Sequence, residues 1–191
     1  MFTESMSNLS LAVARDAAAV IDTSGVRFAL DVGGANGSLI RAMMRANPEL
    51  RGGVLDLPHI VPDAEQAARA DGLQDRFTAV PGDFFREVPP ADLYVLKYIL
   101  HDWDDDKSTR ILANCRASLA EGGRVVIVDL YVGDIGQPGL GALMDMNMLV
   151  MTGGLERQAE ELDKLFAAAG LRRTGHSIVG SYAVTEAVAA A

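Results

Sequence analysis

The fold is decided by the stretch Phe28-Ala29-Leu30-Asp31-Val32-Gly33-Gly34-Ala35-Asn36-Gly37. An apolar run ends in an acid, a glycine-rich turn follows, and residues 38–44 have the pattern of a helix. A strand, a glycine turn and a helix in this order form the first unit of a nucleotide-binding α/β sheet. The glycines permit φ > 0 and let a ligand approach backbone that a Cβ would block. The sequence therefore predicts a doubly wound α/β fold with a ligand at this turn.

The composition of the turn indicates which ligand it suits. A dinucleotide site has the pattern G-x-G-x-x-G, with pyrophosphate on the helix N-terminus. Val32 occupies the position of the first glycine, and Asp31 at the end of the strand would repel a pyrophosphate. A ligand that carries a positive charge fits better, so a nicotinamide-dependent oxidoreductase is a disfavoured alternative. A glycine turn with a purely structural role also stays open.

Acids recur where the next two strands are predicted to end. Asp56 closes a short apolar run 19 positions after Gly37, where an acid can accept hydrogen bonds from ribose hydroxyls. Residues 77–85 are predicted to form a third strand that ends in Gly-Asp-Phe-Phe, where Asp83 can meet an adenine amino group and Phe84 can cover the base. The alternative is that Asp83 caps a turn and Phe84 fills the core.

Strands and helices alternate along the rest of the chain, with helices predicted at residues 3–19, 107–119, 140–150 and 157–169. Ligands of such sheets bind beyond the carboxyl ends of the strands. Five charged residues are predicted at these ends, namely Asp31, Asp56, Asp83, Lys97 and Asp129. Chance can place two or three caps there, so five favour a site.

Composition limits the classes of protein. The 191 residues suffice for one α/β domain, and 49% of them are apolar. The net charge of −9 argues against a nucleic-acid partner. The single cysteine, Cys115, lies in a helical pattern and is predicted to be a buried thiol. No apolar run reaches about 18 residues and no signal-peptide pattern is present, so we expect a cytoplasmic protein without a membrane span.

Several motifs together resemble one family. The residues are Asp31-Val32-Gly33-Gly34-Ala35-Asn36-Gly37, Leu55-Asp56-Leu57-Pro58, Gly82-Asp83-Phe84-Phe85, Leu96-Lys97-Tyr98-Ile99-Leu100-His101-Asp102-Trp103 and Gly153-Gly154-Leu155-Glu156-Arg157. They are similar to motifs of the S-adenosylmethionine-dependent O-methyltransferases of small molecules, in the branch with plant caffeate and flavonoid enzymes and bacterial polyketide-tailoring enzymes. The resemblance implies a Rossmann-like methyltransferase fold with a mostly parallel seven-stranded sheet and an antiparallel terminal strand. It covers nearly the whole chain.

The resemblance also implies a donor site for S-adenosylmethionine, which leaves as S-adenosylhomocysteine. Its residues would be Asp31, Gly33, Gly34, Asp56, Asp83, Phe84, Lys97 and Trp103. Within this set Lys97 would pair with the donor's carboxylate, and Asp31 would help to hold its amino group. Trp103 can wall the adenine or belong to the core.

Methyl transfer to a phenol of pKa near 10 needs a base, and histidine is suited to this near neutral pH. The family's Leu-His-Asp-Trp motif implies that His101 is the base, with Asp129 and Glu156 as its supporting acids. Plant members more often have Glu where Asp129 stands, so contact with His101 can be direct or through water. Without the family, Asp129 would be a strand-end cap and Glu156 a surface residue at a helix start.

A methionine-rich segment near residue 148 is the candidate acceptor pocket, because methionine adapts to flat aromatic rings. Its members are Met144, Asn147, Met148 and Met151. Three of them share one helical face, which is also the pattern of a core stripe.

The family normally carries a long helical segment ahead of this region, and that segment dimerises and closes over the substrate. We therefore divide the chain into residues 1–24, a remnant helix and linker, and residues 25–191, the catalytic domain. The predicted function is methylation of a hydroxyl on a small aromatic natural product, without a metal. The alternative is a donor-binding domain with little or no turnover because the dimerising segment is absent.

Overall fold

The structure is a computed structural model that describes the backbone of residues 2–133 and 140–191 and the side chains of residues 11–133 and 141–191. Its strands are β1 Phe28–Val32, β2 Arg51–Asp56, β3 Phe77–Pro81, β4 Ala91–Lys97, β5 Leu119–Leu130, β6 Leu171–Val179 and β7 Tyr182–Ala189. They form one sheet in the order β3-β2-β1-β4-β5-β7-β6. Strands β1 to β5 pair in parallel, and β7 is antiparallel to both β5 and β6. The predicted fold class is confirmed.

Helices cover both faces of the sheet. They are α1 Phe2–Val20, α2 Ser38–Ala46, α3 Val61–Ala70, α4 Asp105–Ser118, α5 Leu140–Met151 and α6 Ala159–Ala168, and one 3₁₀ turn, Leu100–Asp102, follows β4. Buried residues of α1, α2 and α3 pack on one face, and those of α4 and α6 pack on the other. No helix of the described residues is long and apolar enough to cross a membrane.

The apolar run in β5 illustrates how the sequence produces this arrangement. Val126 and Val128 belong to the core under α1 and α2, whereas Val125 and Ile127 belong to the core under α4 and α6. A strand covered on both faces needs apolar residues at successive positions, not at alternate ones. Cys115 of α4 is fully buried in the second core, as predicted.

Helix α1 packs into the core with its second half. Val13, Ala14, Ala17 and Ala18 are buried and join the cluster that α2 covers. The segment before β1 therefore shares a core with the sheet. Such packing does not test whether residues 1–24 derive from a longer dimerising segment, and that division stays a prediction.

Some of the predicted boundaries differ from the structure by two residues or more. Helix α4 begins at Asp105 instead of residue 107, because Asp104 is its N-cap. Helix α6 begins at Ala159 instead of residue 157, because Gln158 is its N-cap and forms a capping box with Glu161. Strand β3 ends at Pro81 instead of residue 85, because Asp83 folds the following residues into a turn by accepting a hydrogen bond from the Phe85 N–H at 2.9 Å. The later start of α6 places Arg157, together with Glu156, in the loop before this helix.

The charged residues predicted at the strand ends lie there. Asp56 and Lys97 are the last residues of β2 and β4, and Asp31 and Asp129 are next to last in β1 and β5. Asp83 lies two residues beyond β3. Because these strands run parallel, the five residues share the carboxyl edge of the sheet.

Candidate active site

The glycine turn after β1 leaves no space for side chains on its inner side. Gly33 has φ 71°, and a Cβ there would lie 2.5 Å from Cδ1 of Ile99. A Cβ on Gly34 would lie 2.5 Å from Cγ of Asp31. Both contacts are closer than real Cβ atoms show, so the turn needs glycine and presents bare backbone at the sheet edge.

Asp31 is buried beneath this turn with its Oδ2 atom lacking a hydrogen-bond partner among the described residues. Burial raises the pKa of its carboxyl to about 6, although the charge of Lys97 opposes the rise. An unpaired buried carboxylate oxygen is costly unless a ligand or water donates to it. Asp31 can therefore accept a hydrogen bond from a positively charged group of a ligand bound at the glycine turn.

Asp56 links β2 to the same turn. Its Oδ2 accepts a hydrogen bond from the Ala35 N–H at 2.9 Å, and its Oδ1 accepts one from the Leu57 N–H at 2.7 Å. Ala35 has a positive φ of 49°, which is uncommon for a residue with a side chain, so this bond fixes an unusual backbone conformation. Each carboxylate oxygen keeps a further lone pair for a ligand hydroxyl.

An aromatic group lies beside the turn. The rings of Phe84 and Phe85 have centroids 4.9 Å apart, and Trp103 meets Phe85 edge-on at 4.8 Å and Phe84 at 6.4 Å. A Cβ on Gly33 would lie 3.3 Å from the Phe84 ring, so this ring borders the turn directly. Trp103 packs against the core and also extends this aromatic group. A place in the core is therefore compatible with the predicted role as a wall for the adenine. The Asp83 carboxylate accepts a hydrogen bond from the Phe85 N–H, and its Oδ2 lies 3.8 Å from Nε of Arg86.

His101 is held by Glu156. The distance from His101 Nδ1 to Glu156 Oε1 is 2.7 Å, and the Glu156 side chain is fully buried. Because a carboxylate can only accept, Nδ1 donates and Nε2 is the nitrogen left for another partner. Nε2 lies 3.7 Å from Oδ1 of Asp102.

The surroundings of His101 change its acidity. Burial lowers the pKa of the imidazole, but the hydrogen bond to Glu156 and the charges of Asp129, Glu156 and Asp102 outweigh it and raise the pKa to about 9. A group with this pKa is mainly protonated at neutral pH. The acids therefore make His101 a strong base whose neutral form is scarce at pH 7.

Asp129 acts on His101 through its charge. It is buried, its Oδ1 has no hydrogen-bond partner among the described residues, and burial raises its pKa to about 6 against the opposing charge of His101. It also lines a cavity of about 270 Å³ that extends to His176 and Thr185. The structure gives no hydrogen bond between Asp129 and His101 among the described residues, and contact through water stays a prediction.

Tyr98 stacks on His101, a contact that was not predicted from the sequence. It is the residue after β4 and has a positive φ of 59°, a conformation that costs a side-chain-bearing residue on the order of 1–3 kcal/mol. This conformation reverses the chain so that the Tyr98 ring stacks on His101, with centroids 5.4 Å apart and planes 12° apart. The Lys97 Nζ atom lies 4.8 Å from the centroid of the Tyr98 ring. Burial lowers the pKa of the Lys97 ammonium group, and the charges of Asp31 and Asp129 oppose this shift.

The segment before α6 packs tightly on the turn that carries His101. A Cβ on Gly154 would overlap the His101 carbonyl oxygen, so the two backbones touch. The Arg157 guanidinium donates hydrogen bonds to the carbonyl oxygens of Leu100 and Trp103 at 2.8 and 2.7 Å. No role was predicted for Arg157, whose only signal in the sequence is its place in the Gly-Gly-Leu-Glu-Arg motif.

The predicted acceptor residues are exposed to different degrees along α5. Met148 is buried, Met144 and Asn147 are half-buried, and Met151 is 72% exposed. Asp145 connects this helix to the base by accepting a hydrogen bond from the Glu156 N–H at 2.9 Å. Among the described residues these four do not contact His101 by a hydrogen bond, so their pocket role stays a prediction.

A metal site was not predicted. Within residues 11–133 and 141–191, His, Cys, Asp and Glu side chains do not form a group of three that could hold a metal ion.

The family model described as the O-methyltransferase domain matches residues 1–172. The chain belongs to this family. The resemblance inferred from the motifs is thereby confirmed.

Relatives of this domain act on natural products. The chain is 39% identical to the phenazine O-methyltransferase of Lysobacter antibioticus over 171 residues, which cover 89% of this chain and 50% of that protein. Its fold matches the mitomycin 7-O-methyltransferase with a TM-score of 0.92 and 36% identity, covering 99% of this chain and 56% of that one. It matches an O-methyltransferase from neocarzinostatin biosynthesis, crystallised with S-adenosyl-L-homocysteine and 1,4-dihydroxy-2-naphthoic acid, with a TM-score of 0.84 and 36% identity, covering 91% and 52%. The chain spans about half the length of these relatives.

Proposed function

We propose that this chain is a catalytic domain that transfers a methyl group from S-adenosylmethionine to a hydroxyl of a small aromatic compound. The observation that carries the proposal is the 2.7 Å bond between His101 Nδ1 and the buried Glu156 carboxylate, placed at the same sheet edge as the glycine turn. A base oriented by an acid is what deprotonation of a phenol requires.

The donor fits the residues at the glycine turn. The unpartnered Oδ2 of Asp31 suits an ammonium group, and the bare backbone of Gly33 and Gly34 allows close approach. Asp56 would accept from ribose hydroxyls, and Phe84, Trp103 and Asp83 would enclose the adenine. Lys97 would face the donor's carboxylate. When bound, the donor supplies an activated methyl group on a sulfonium whose leaving group is a neutral thioether.

The protein's own contribution is orientation and proton removal. Glu156 fixes the Nδ1 proton of His101, so Nε2 is the atom that accepts the proton of the acceptor hydroxyl. The pKa of His101, about 9, is close to that of a phenol near 10, so the proton passes between groups of nearly matched affinity. Asp129 stabilises the resulting imidazolium through its charge.

The names of the relatives support an aromatic acceptor. One relative was crystallised with a dihydroxynaphthoic acid, a planar ring system that carries hydroxyls. Methionine side chains suit such rings, and Met144 and Met148 lie on the helix that Asp145 ties to Glu156. We infer that the acceptor binds between α5 and the His101 ring.

The test is a two-part assay on the wild-type chain. Calorimetric titration with S-adenosylhomocysteine measures the donor site, and incubation with S-adenosylmethionine and 1,4-dihydroxy-2-naphthoic acid, followed by mass spectrometry, measures turnover. The proposal predicts one-to-one binding and a product heavier by one methylene, formed together with an equal amount of S-adenosylhomocysteine. A folded chain that binds no S-adenosylhomocysteine contradicts it.

A second candidate is a donor-binding domain with little turnover. It is favoured by the exposure of Met146, Leu149 and Val150 on α5, which leaves an apolar part of the acceptor side uncovered by the described residues. Donor binding without methylation of any phenol would select this candidate. The dimerisation through a further segment, the cytoplasmic location and the metal-independence of the reaction stay predictions.

A further inference from the structure

Arg157 is a buried cation that the proposed reaction does not use. Its side chain is 2% exposed, and a buried guanidinium is tolerated only when its donors are bonded. Nε and Nη2 donate to Oδ1 of Asp105 at 3.0 and 2.9 Å, Nη1 donates to the Leu100 carbonyl and Nη2 to the Trp103 carbonyl. One planar group thus joins two carbonyl oxygens and one carboxylate.

These two carbonyl oxygens lie on either side of His101. The turn Leu100–Asp102 is a single 3₁₀ turn, and such a turn has few hydrogen bonds of its own. Within it the Trp103 N–H donates to the Leu100 carbonyl at 3.1 Å, and the Ser108 hydroxyl adds longer contacts of 3.3 and 3.4 Å to the same two carbonyls. Among the described residues, the shortest hydrogen bonds to these two carbonyl oxygens therefore come from Arg157.

The neighbour of Arg157 in the chain holds the imidazole itself. Glu156 binds His101 Nδ1, and Gly154 lies against the His101 carbonyl. The loop before α6 thus contacts the His101 turn in three ways. Glu156 binds the His101 ring, Gly154 touches the His101 backbone, and Arg157 binds the Leu100 and Trp103 carbonyls. Because these contacts come from three residues within four positions, Gly154, Glu156 and Arg157, we expect a change in one of them to affect the others.

We propose that Arg157 is a positioning residue, whose guanidinium fixes the backbone of the His101 turn and so keeps the imidazole against Glu156 and the Trp103 ring beside the donor. The inference rests on the proposed function, in which His101 is the base. Lysine cannot replace this group, because an ammonium on a flexible stem does not reach three acceptors in one plane.

The test uses Arg157→Lys, which keeps the charge and removes the planar fork. Nuclear magnetic resonance of the labelled chain follows the Nδ1 proton of His101 and the titration of its ring, with His59 as an internal reference. We expect the downfield Nδ1–H signal to be lost and the pKa of His101 to fall by about one unit or more, because the bond to Glu156 is loosened. With an acceptor that the wild type methylates, kcat should fall roughly 10- to 100-fold while S-adenosylhomocysteine affinity changes less.

Arg173→Lys is the matched control. Arg173 also binds one carboxylate through Nε and Nη2, at 2.8 and 2.7 Å from Asp163, but it lies on β6 and away from the turn. This variant should leave the His101 signals unchanged.

If Arg157→Lys does not fold, Asp105→Asn decides the question. The Asp105 side chain is 70% exposed, so its substitution should preserve folding while it weakens the guanidinium's orientation. A smaller shift of the His101 signals in the same direction supports the proposal. Unchanged His101 signals in a folded Arg157→Lys, or in Asp105→Asn when that variant has to decide, overturn it. These signals do not require turnover, so a chain that methylates nothing would refute the proposed function without affecting this result.

Discussion

Two parts of the molecule meet at the carboxyl edge of the sheet and differ in how completely the chain encloses them. The His101 turn is held by Glu156, Arg157 and Gly154, and the His101 side chain is only 12% exposed. Helix α5, which the Glu156 N–H joins through Asp145, carries large apolar side chains that are two-thirds or more exposed, namely Leu143, Met146, Leu149, Val150 and Met151.

The buried His101 turn and the exposed helix α5 would therefore have different roles, the first in proton removal and the second in binding the acceptor. His101, the proposed base, is held at hydrogen-bond distance by Glu156, and Arg157 binds the carbonyls of its turn. The apolar face of α5 is larger than scattered surface residues explain, and such a patch is typical of an interaction site. We therefore expect substitutions at the turn to affect the reaction strongly and substitutions on the face of α5 to leave the isolated chain almost unchanged.

The largest effect should come from His101→Asn, which removes the base and keeps a polar side chain. We expect the methylation rate to fall by roughly 10²- to 10⁴-fold, the usual contribution of a general base. Affinity for S-adenosylhomocysteine should stay within about twofold, because His101 is not one of the residues proposed to bind the donor.

The control for this variant is His176→Asn. His176 is bonded to the Thr185 hydroxyl at 2.9 Å on β6, outside the turn, so its loss should not reduce the rate comparably. A His101→Asn enzyme with nearly wild-type turnover would remove His101 from its role as the base.

The next effect concerns pH. Because Glu156 raises the pKa of His101, the wild-type rate should increase with pH up to about 9, where the imidazole becomes neutral. In Glu156→Gln the amide keeps a hydrogen-bond acceptor but removes the charge, so this limb of the profile should move to lower pH by about one unit or more. The plateau rate should fall about 10-fold because His101 is then a weaker base.

Rate profiles between pH 6 and 10 measure both changes. Glu160→Gln, on the first turn of α6, is the matched substitution outside the turn. An unchanged profile in Glu156→Gln would show that the proton acceptor is a different group.

An effect on the donor alone is expected from Gly34→Ala. The added Cβ would lie 2.5 Å from Asp31 Cγ and 2.7 Å from its Oδ2, so either the turn or the carboxylate must move. S-adenosylhomocysteine affinity, measured by calorimetry, should fall about 10-fold, because a displaced Asp31 carboxylate loses one charge-assisted hydrogen bond to the ligand. Gly175→Ala on β6, where the nearest atom would be 3.8 Å away, should not weaken binding. Equal affinities in the two variants would place the donor elsewhere.

The conformation of the glycine turn was easier to predict from the sequence than the packing around His101, for a physical reason. Gly33, Gly34 and Asp31 are neighbours in the chain, so their geometry follows from local backbone preferences. Glu156 and His101 are 55 positions apart, and without the family motif Glu156 would have been assigned to the surface at a helix start. In the structure its side chain is fully buried.

The roles of Arg157 and Tyr98 could not be predicted from local patterns. Arg157 binds carbonyl oxygens 54 and 57 positions away. Every residue has a backbone carbonyl, so no residue type in the sequence indicates such a partner. Tyr98 follows a β-strand in an ordinary apolar stretch of sequence, yet its φ is positive, its N–H donates to the Val128 carbonyl at 3.0 Å and its ring stacks on His101. Tertiary contacts decided both positions.

The smallest effect is expected on α5, from Val150→Lys. Val150 is 81% exposed, so the change removes little buried apolar area, and the free energy of unfolding should stay within about 0.5 kcal/mol of the wild type. Donor affinity should also be unchanged, because the glycine turn lies on another part of the sheet edge. Denaturant unfolding and calorimetry check the two values, and Met148→Lys is the contrasting variant because Met148 is buried on the same helix. Clear destabilisation by Val150→Lys would mean that this apolar face is covered in the chain as it exists in solution, and the contrast between the enclosed base and the open acceptor side would then be lost.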